Sequence, residues 1–450
     1  MKILTAKYVL PISTPPIENG AVAIQGTEIR AVGKLDEIID RIPAAQVEDF
    51  GQAAILPGFV NCHSHLEITA MRGALDDVEN DFAAWLLKLN AIRASFSESD
   101  IRLSALAGAA EGAVAGVTCF GDIGRYGVAG LEALKTVGLR GVVYQETEFC
   151  VDSRTAKEDC DALFRKFWGL RGNRTDLVDV GLSPHSTYTV GPRQLELIAE
   201  FALANEVKVS IHTAESMAED NLLRRGLGFF TEIYRKYDVV WKSPFSTSIE
   251  YLDRLGVLAT KPLLAHCVTV SENDIEMIVR SDSAIAHCPR SNAKFGHGSA
   301  PLSQFLHAGI SVGLGSDSVA SNNSCDLLAE ASFAALAARN RPGDEKFISA
   351  REILAVSTMG GARALGLDGQ IGSLEPGKQA DIAVIDLSHI AQQPVHDVHT
   401  ALVFASNARD VSMTMVAGEV VYSNDALTRV DMERLSRLVN DLTAAIGPGK

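Results

Sequence analysis

Two histidines lie one residue apart at the end of an apolar run, residues 55–65, that reads Ile-Leu-Pro-Gly-Phe-Val-Asn-Cys-His-Ser-His. Alternate side chains of a β-strand face the same side, so Asn61, His63 and His65 are expected to share one face. Two imidazoles on one face can reach one metal ion. Imidazole suits zinc, iron, nickel and copper, so the pair predicts a metal site without naming the metal.

Further polar residues that could complete such a site follow short apolar runs later in the chain. They are His185 in Ser-Pro-His, His212 and Glu215 in His-Thr-Ala-Glu, His266 in Ala-His-Cys, and Asp317 in Ser-Asp-Ser. Any one of these histidines alone would more often be a buried structural residue. Five histidines and an aspartate at strand ends are better explained by a shared metal centre, because imidazole and carboxylate are common metal ligands.

The elements that must position these residues are eight predicted strands that alternate with helices. The strands are predicted near residues 55–63, 117–122, 139–145, 178–184, 207–212, 262–267, 283–288 and 310–316. Helices such as Glu98 to Ala115 and Asp326 to Arg339 fall between them. This pattern favours a parallel (β/α)8 barrel, whose active site lies at the C-terminal ends of the strands. A doubly wound sheet is the alternative, but no glycine-rich dinucleotide loop follows the first strand.

The two ends of the chain show a different pattern. Short apolar runs separated by turn residues fill the first 55 residues, and short strands with turn-rich connections return after about residue 370. We therefore predict that residues 1–55 and 370–450 together build a small composite β-sandwich. The barrel is predicted to span residues 56–369.

Composition excludes several classes of partner. The 450-residue chain has a formal net charge of -15 and no basic cluster, which argues against a nucleic-acid partner. No run approaches the roughly 18 apolar residues of a membrane helix, and the N-terminus lacks a signal-peptide core. The seven cysteines are scattered without a Cys-x-x-Cys pair, which predicts reduced thiols in a cytoplasmic protein. A homo-oligomer is compatible with these features.

The motifs from Pro57–His65 to the turn at Gly372–Asp381 resemble those of the amidohydrolase superfamily, and the resemblance covers nearly the whole chain. It implies one divalent metal ion, zinc or alternatively iron, with His266 beside the attacking water. The ligands that it implies are His63, His65, His212 and Asp317. The fourth strand ends without the lysine that binuclear members carry there, which favours a single ion.

Glu215 indicates the class of reaction. A glutamate three residues after the fifth-strand ligand is similar to the deaminase branch of the superfamily, which acts on aminated heterocycles. A metal lowers the pKa of its water toward neutrality, and displacing ammonia from a ring carbon also needs a proton on the ring nitrogen. Glu215 can carry that proton, Asp317 can accept a second one, and His266 can stabilise the tetrahedral intermediate. The plainer alternative for Glu215 is a carboxylate that caps the following helix.

Three segments point to the substrate: Leu66–Gly73, the Cys-Pro-Arg-Ser-Asn motif at 288–292, and the serine-rich loop at 315–324. They look like the aminodeoxyfutalosine deaminases, and are also close to the methylthioadenosine and S-adenosylhomocysteine deaminases. Both groups convert a 6-aminopurine nucleoside to its 6-oxo form. The implied contacts are Glu67 and His185 with ribose hydroxyls, Arg72 or Arg290 with a substrate carboxylate, and Trp85 with the purine face. Core packing, an ion pair or support of a ligand histidine is the structural alternative for these side chains.

Other functions share this predicted centre. They are deamination of S-adenosylhomocysteine, methylthioadenosine or adenosine, hydrolysis of a chloro- or aminotriazine, and deamination of a free base. A non-catalytic binding protein on the same fold is the alternative of another class, but such proteins typically lose ligands. The segment from Met217 to Arg254 is long for a βα connection and is either a lid over the site or a subunit interface.

Overall fold

The structure is a computed structural model that describes residues 1–42, 45–342 and 347–446. Its strands are β1 (Lys2–Val9), β2 (Ile17–Gln25), β3 (Glu28–Lys34), β4 (Gln46–Asp49), β5 (Ala53–Pro57), β6 (Phe59–Ser64), β7 (Val117–Gly124), β8 (Arg140–Glu146), β9 (Val178–Ser183), β10 (Ser210–Thr213), β11 (Leu263–His266), β12 (Ala284–His287), β13 (Val312–Leu314), β14 (Ile382–Asp386), β15 (Val411–Val416), β16 (Glu419–Ser423) and β17 (Ala426–Leu427).

The helices are α1 (Leu35–Arg41), α2 (Phe82–Ser95), α3 (Glu98–Val114), α4 (Gly127–Val137), α5 (Ala156–Arg171), α6 (Pro192–Asn205), α7 (Met217–Arg225), α8 (Phe229–Lys236), α9 (Ser248–Arg254), α10 (Glu272–Ser281), α11 (Pro289–Lys294), α12 (Leu302–His307), α13 (Val319–Asn322), α14 (Leu327–Asn340), α15 (Ala350–Ala355), α16 (Gly361–Ala364), α17 (Val398–Ala405) and α18 (Met432–Ile446). Both helices that the sequence predicted by residue number, α3 and α14, are present. The N-terminus of α3 is closed by a capping box between Ser97 and Asp100, and that of α14 by the side chain of Asp326.

Strands β6 to β13 form the predicted barrel. They pair in parallel as β6-β7-β8-β9 and as β10-β11-β12-β13. Short parallel bridges join these halves: Leu182 pairs with Val209 and Ser186 with His212 on one side, and Ser64 pairs with Asp317 on the other. All eight predicted barrel strands are therefore confirmed. The first begins at Phe59, because Ala53–Pro57 is a separate strand of the other sheet.

Both chain ends contribute to that other sheet, as predicted. Its strands run in the order β17-β16-β15-β14-β5-β1-β2-β3, and β4 pairs with the side of β1. The antiparallel pairing of β14 with β5 joins the C-terminal part to the N-terminal part. One face of the sheet has an apolar core of its own, with Leu4, Val22, Ile55, Ile382 and Met413 among its members.

The predicted division into residues 1–55, 56–369 and 370–450 cuts through packed elements. The first boundary falls inside β5. The C-terminal segment also contains α17, which packs on α14 and α15, and α18, which packs on α3. These contacts fasten the end of the chain to the outer helices of the barrel.

The burial of the barrel strands and the state of the cysteines agree with the predictions from the sequence. All eight residues of β7 and all seven of β8 are buried, as expected for parallel strands that are covered on both faces. The seven cysteines are free thiols. Among the described residues, no helix is long and apolar enough to span a membrane.

A buried ion pair fastens the terminal sheet to the barrel. The Arg140 guanidinium, on β8, donates from Nε to Asp381 Oδ2 at 2.8 Å and from Nη2 to Asp381 Oδ1 at 3.0 Å. The same Asp381 carboxylate also accepts the backbone N–H of Ala417 at 2.8 Å. Removing one partner of a buried pair leaves the other charge uncompensated.

We predict that Asp381→Asn lowers the free energy of unfolding by about 3–5 kcal/mol, because Arg140 would stay buried without a counter-charge. Urea unfolding followed by circular dichroism measures this change. Asp282→Asn is the matched control, since Asp282 pairs with Lys261 at the exposed surface and should matter little. Equal stability of the two variants would contradict the prediction.

Candidate active site

The barrel brings five predicted side chains together at the C-terminal ends of its strands. They are His63 on β6, His65 just after it, His212 on β10, His266 at the end of β11, and Asp317 after β13. One ligand atom from each of His63, His212, His266 and Asp317 lies within 4.8 Å of the others. His65 joins this group, because its Nε2 is 3.1 Å from His212 Nε2 and 3.5 Å from Asp317 Oδ1.

Hydrogen bonds on the outer side of three imidazoles orient their inner nitrogens. Nδ1 of His65 lies 3.1 Å from the carbonyl oxygen of Ile123, and Nδ1 of His212 lies 2.8 Å from that of His185. Nδ1 of His266 lies 2.9 Å from Oδ1 of Asn292. Because these oxygens can only accept a hydrogen bond, each Nδ1 is the donor and each Nε2 keeps its lone pair for the centre.

The Asp317 carboxylate is held in a matching way. Its Oδ2 accepts hydrogen bonds from the hydroxyls of Ser291 at 2.6 Å and Ser321 at 2.8 Å. Its Oδ1 faces the centre, 3.4 Å from His63 Nε2. The backbone at Asp317 has a φ of 57°, in the left-handed region that non-glycine residues rarely adopt, and such strain is common at functional sites.

The protonation states suit a divalent cation. Burial lowers the pKa of His63 to about 4 and holds the pKa of His65 well below its usual value, so both rings are neutral donors. Burial works against ionisation of Asp317, but the close contact with His63 and the other nearby histidines outweighs it and holds the pKa of Asp317 well below the usual range. Neither His63 ring nitrogen has a hydrogen-bond partner among the described residues. Buried nitrogens of this kind next to a carboxylate fit a divalent metal ion.

Glu215 lies beside this cluster and is itself buried. Its Oε2 accepts a hydrogen bond from the Tyr188 hydroxyl at 2.8 Å, and its Oε1 is 3.8 Å from His266 Nε2. Burial raises the pKa of Glu215 to about 7. A carboxyl group with such a pKa can both release and take up a proton near neutrality. The backbone at Glu215 is also held in place, because its N–H donates to the Glu219 carboxylate at 2.9 Å.

A cavity of about 450 Å³ opens above the cluster. One wall is apolar, and its members are Phe82, Trp85, Leu86, Phe149, Phe229, Phe230, Ile233, Tyr237 and Phe295. The polar part of the lining includes Asn90, Arg93, Arg125, Glu146 and His185. Trp85 and His185 therefore lie where a substrate could contact them. Helix α8, in the segment that the sequence left as lid or interface, lines the cavity.

The other three predicted substrate contacts, Glu67, Arg72 and Arg290, do not line this cavity. Glu67 accepts the backbone N–H groups of Arg125 and Tyr126 at 3.1 and 2.9 Å. Arg72 pairs with Glu111 and donates to the carbonyl of Asn323, and Arg290 approaches Glu330 at 3.8 Å. Each charge has a protein partner, so we do not include the three in the substrate site proposed below, and their contact with a substrate stays a prediction from the sequence.

Sequence reasoning also missed residues that contact the centre or line the cavity. Tyr188 lies three residues after His185, and Asn292 ends the Cys-Pro-Arg-Ser-Asn motif, so both lie in segments that contain predicted site residues. His297, whose Nε2 is 3.9 Å from Glu215 Oε1, and Glu146, at the end of β8, carried no local signal.

The fold and this centre define the class of protein: a (β/α)8-barrel hydrolase with a histidine–aspartate site for a divalent metal. The family model described as "Amidohydrolase family" matches residues 54–421. The chain belongs to the amidohydrolase family, as its motifs indicated.

Three known proteins illustrate the similarity. A 5-methylthioadenosine/S-adenosylhomocysteine deaminase from Moorella thermoacetica is 30% identical over 428 residues, which cover 95% of each chain. An adenosine deaminase from Xanthomonas campestris, solved with bound zinc, has a TM-score of 0.88 and 27% identity, covering 98% of each chain. An atrazine chlorohydrolase from Arthrobacter aurescens, solved with zinc, has a TM-score of 0.84 and 26% identity, covering 98% of this chain and all of that one. The family and the two relatives named as deaminases support a hydrolytic deaminase.

We predict that the purified protein holds about one divalent ion per chain and that His212→Ala releases it, because a ligand nitrogen is lost. Elemental analysis after dialysis measures the metal content. His307→Ala is the control, since that exposed histidine lies on α12. Full metal content in His212→Ala would contradict this assignment.

Proposed function

We propose that the protein is a zinc-dependent deaminase that replaces the 6-amino group of a purine nucleoside by oxygen and releases ammonia. The observation that carries the proposal is Glu215, a buried carboxyl group with a pKa near neutrality next to the ligand cluster. The names of the Moorella and Xanthomonas relatives support a nucleoside substrate.

The ligands we propose are His63, His65, His212 and Asp317, as the sequence predicted, with zinc as the ion. A bound divalent metal supplies Lewis acidity, which lowers the pKa of water and stabilises developing negative charge. His266 presents its unpartnered Nε2 to the same centre, where it can hold water or the tetrahedral intermediate. The histidine rings also pack against one another, which restricts their orientations: the ring centroids of His63 and His212 are 4.8 Å apart.

Glu215 moves the proton that the reaction needs at the ring nitrogen. The Tyr188 hydroxyl fixes its Oε2, so Oε1 is the atom free to face the substrate. We assign to this oxygen the uptake of a proton from water and its delivery to the purine nitrogen, which makes the amine-bearing carbon electrophilic. Asp317 Oδ1, held ionised, accepts the second proton on its way to the leaving amine.

The cavity favours an uncharged group on the 5′ side of the sugar. Among the described lining residues, Arg93 lies 3.3 Å from Glu67, and Arg125 lies 3.3 Å from Glu146, so both cations are already compensated. Lys236 also lines the cavity, but it is exposed to solvent. The apolar wall would accept a methylthio group, with Trp85 beside the purine. Methylthioadenosine is therefore our first candidate, ahead of S-adenosylhomocysteine and of the aminodeoxyfutalosine that the motifs favoured.

Triazine hydrolysis is the second candidate, because the atrazine enzyme shares the fold over nearly the whole chain. Chloride or alkylamine release from triazines, tested beside ammonia release from nucleosides, separates the two. A cytoplasmic location, a homo-oligomeric state and the lack of a nucleic-acid partner remain predictions from the sequence.

We predict that the metal-loaded protein releases ammonia from methylthioadenosine and that Glu215→Gln lowers kcat by about 10²–10⁴-fold while metal content is unchanged, because the amide cannot shuttle a proton. A coupled ammonia assay and elemental analysis give the two readouts. Glu272→Gln, an exposed change on α10, is the control. Retained turnover in Glu215→Gln would contradict the role of this residue.

A further inference from the structure

The polar side of the cavity contains a carboxylate that the chemistry described above does not use. Glu146 ends β8 and its side chain is 2% exposed, yet it lines the cavity. Its Oε2 accepts from Arg125 Nε at 3.3 Å. Its Oε1 receives no hydrogen bond from any residue that the structure describes, and the nearest histidine nitrogen, His185 Nε2, is 3.9 Å away.

An ionised carboxylate oxygen that is removed from bulk water needs a donor. Arg125 already donates to Oε2 of Glu146, and Glu146 lines the cavity. A donor for Oε1 can therefore come from a ligand in the cavity. A neutral ligand with adjacent hydroxyl groups meets this need best, because two hydroxyls can donate to one carboxylate. An acidic residue that binds ribose hydroxyls is a recurrent solution in nucleotide-binding proteins.

The position of Glu146 relative to the metal ligands fits a sugar rather than a purine ring. His185 lies between them: its ring centroid is 4.8 Å from that of the ligand His212, and its other side approaches Glu146. A nucleoside whose 6-amino carbon lies at the metal centre extends its ribose away from that centre. His212, His185 and Glu146 all line the cavity and follow one another in that order, so Glu146 lies one side chain farther from the centre than His185.

The surroundings hold Glu146 in place. Arg125 is fixed at its guanidinium by Glu146 and by Asn90 Oδ1 at 3.1 Å, and at its backbone by the Glu67 carboxylate. Glu67, which the sequence assigned to ribose hydroxyls, thus supports the residue that orients Glu146. The carboxylate enters the cavity on a barrel strand, which positions it more rigidly than a loop would.

We propose that Glu146 is the specificity-determining residue that binds the 2′- and 3′-hydroxyls of the nucleoside, with Arg125 as its positioning partner. The inference rests on the proposed function, because it concerns the same cavity and a nucleoside substrate. It restricts the substrate class to ribonucleosides and disfavours deoxynucleosides, free bases and triazines, none of which carries the diol.

The test compares adenosine with 2′-deoxy-, 3′-deoxy- and 2′,3′-dideoxyadenosine on the zinc-loaded enzyme. Each hydrogen bond to a charged group contributes enough to change kcat/KM by about 10- to 100-fold. We expect adenosine to exceed the dideoxy compound by at least this factor and the monodeoxy compounds to fall between. If the wild-type enzyme has equal kcat/KM values for adenosine and dideoxyadenosine, this comparison alone overturns the proposal.

Variants then assign the effect to the residue. Glu146→Gln should lower kcat/KM for adenosine about tenfold or more while leaving that for dideoxyadenosine nearly unchanged, because the lost interaction exists only with the diol. Glu148→Gln is the matched control, since Glu148 pairs with Lys166 at the surface two residues away. An equal fall in kcat/KM on both substrates indicates a structural role and overturns the assignment. An unchanged kcat/KM for adenosine in Glu146→Gln overturns it as well.

The outcome also separates this inference from the proposed function. Wild-type enzyme with full metal content that deaminates no purine nucleoside refutes the proposed function and the diol assignment with it. Wild-type enzyme that deaminates nucleosides without regard to the diol refutes the diol assignment alone.

Discussion

The outward hydrogen bonds of the histidines are the constraint on which the site depends. An imidazole can turn either nitrogen inward, and only the partner of the outer nitrogen decides which one coordinates. Ile123 and His185 supply backbone carbonyls for this purpose, and Asn292 supplies a side-chain oxygen. These acceptors lie on or after neighbouring barrel strands. The ligand geometry therefore follows from the closure of the barrel and from the register of its strands.

Burial then gives neighbouring groups opposite tasks. Loss of solvent disfavours the charged form of any titratable group. It lowers the pKa of His63, which keeps an imidazole neutral and able to donate an electron pair, and it raises the pKa of Glu215, which lets a carboxyl group hold a proton near neutrality. In the function that we propose, the buried floor of the cavity thus provides both the metal ligands and the proton carrier. The apolar wall around Trp85 extends the same low-dielectric environment over the substrate.

The sequence predicted what periodicity can reveal. Strand alternation and the rule that barrel sites lie at strand ends were enough to select His63, His212 and Asp317. Short apolar runs between turn residues were enough to predict that both chain ends build one composite β-structure. Periodicity could not predict contacts between segments that are distant in sequence. Glu67 follows the histidine pair directly but turns away to bind the backbone of Arg125, whereas Glu146 enters the cavity from another strand without a local motif.

The most direct test of the account is hydrolysis of methylthioadenosine by the zinc-loaded protein in water enriched in oxygen-18. Mass spectrometry of the product and quantification of ammonia follow the two atoms exchanged at the purine ring. The account predicts one oxygen-18 atom in each product molecule and one ammonia released for each. A product without the label, or loss of a group other than ammonia, would contradict hydrolytic deamination as the function of this centre.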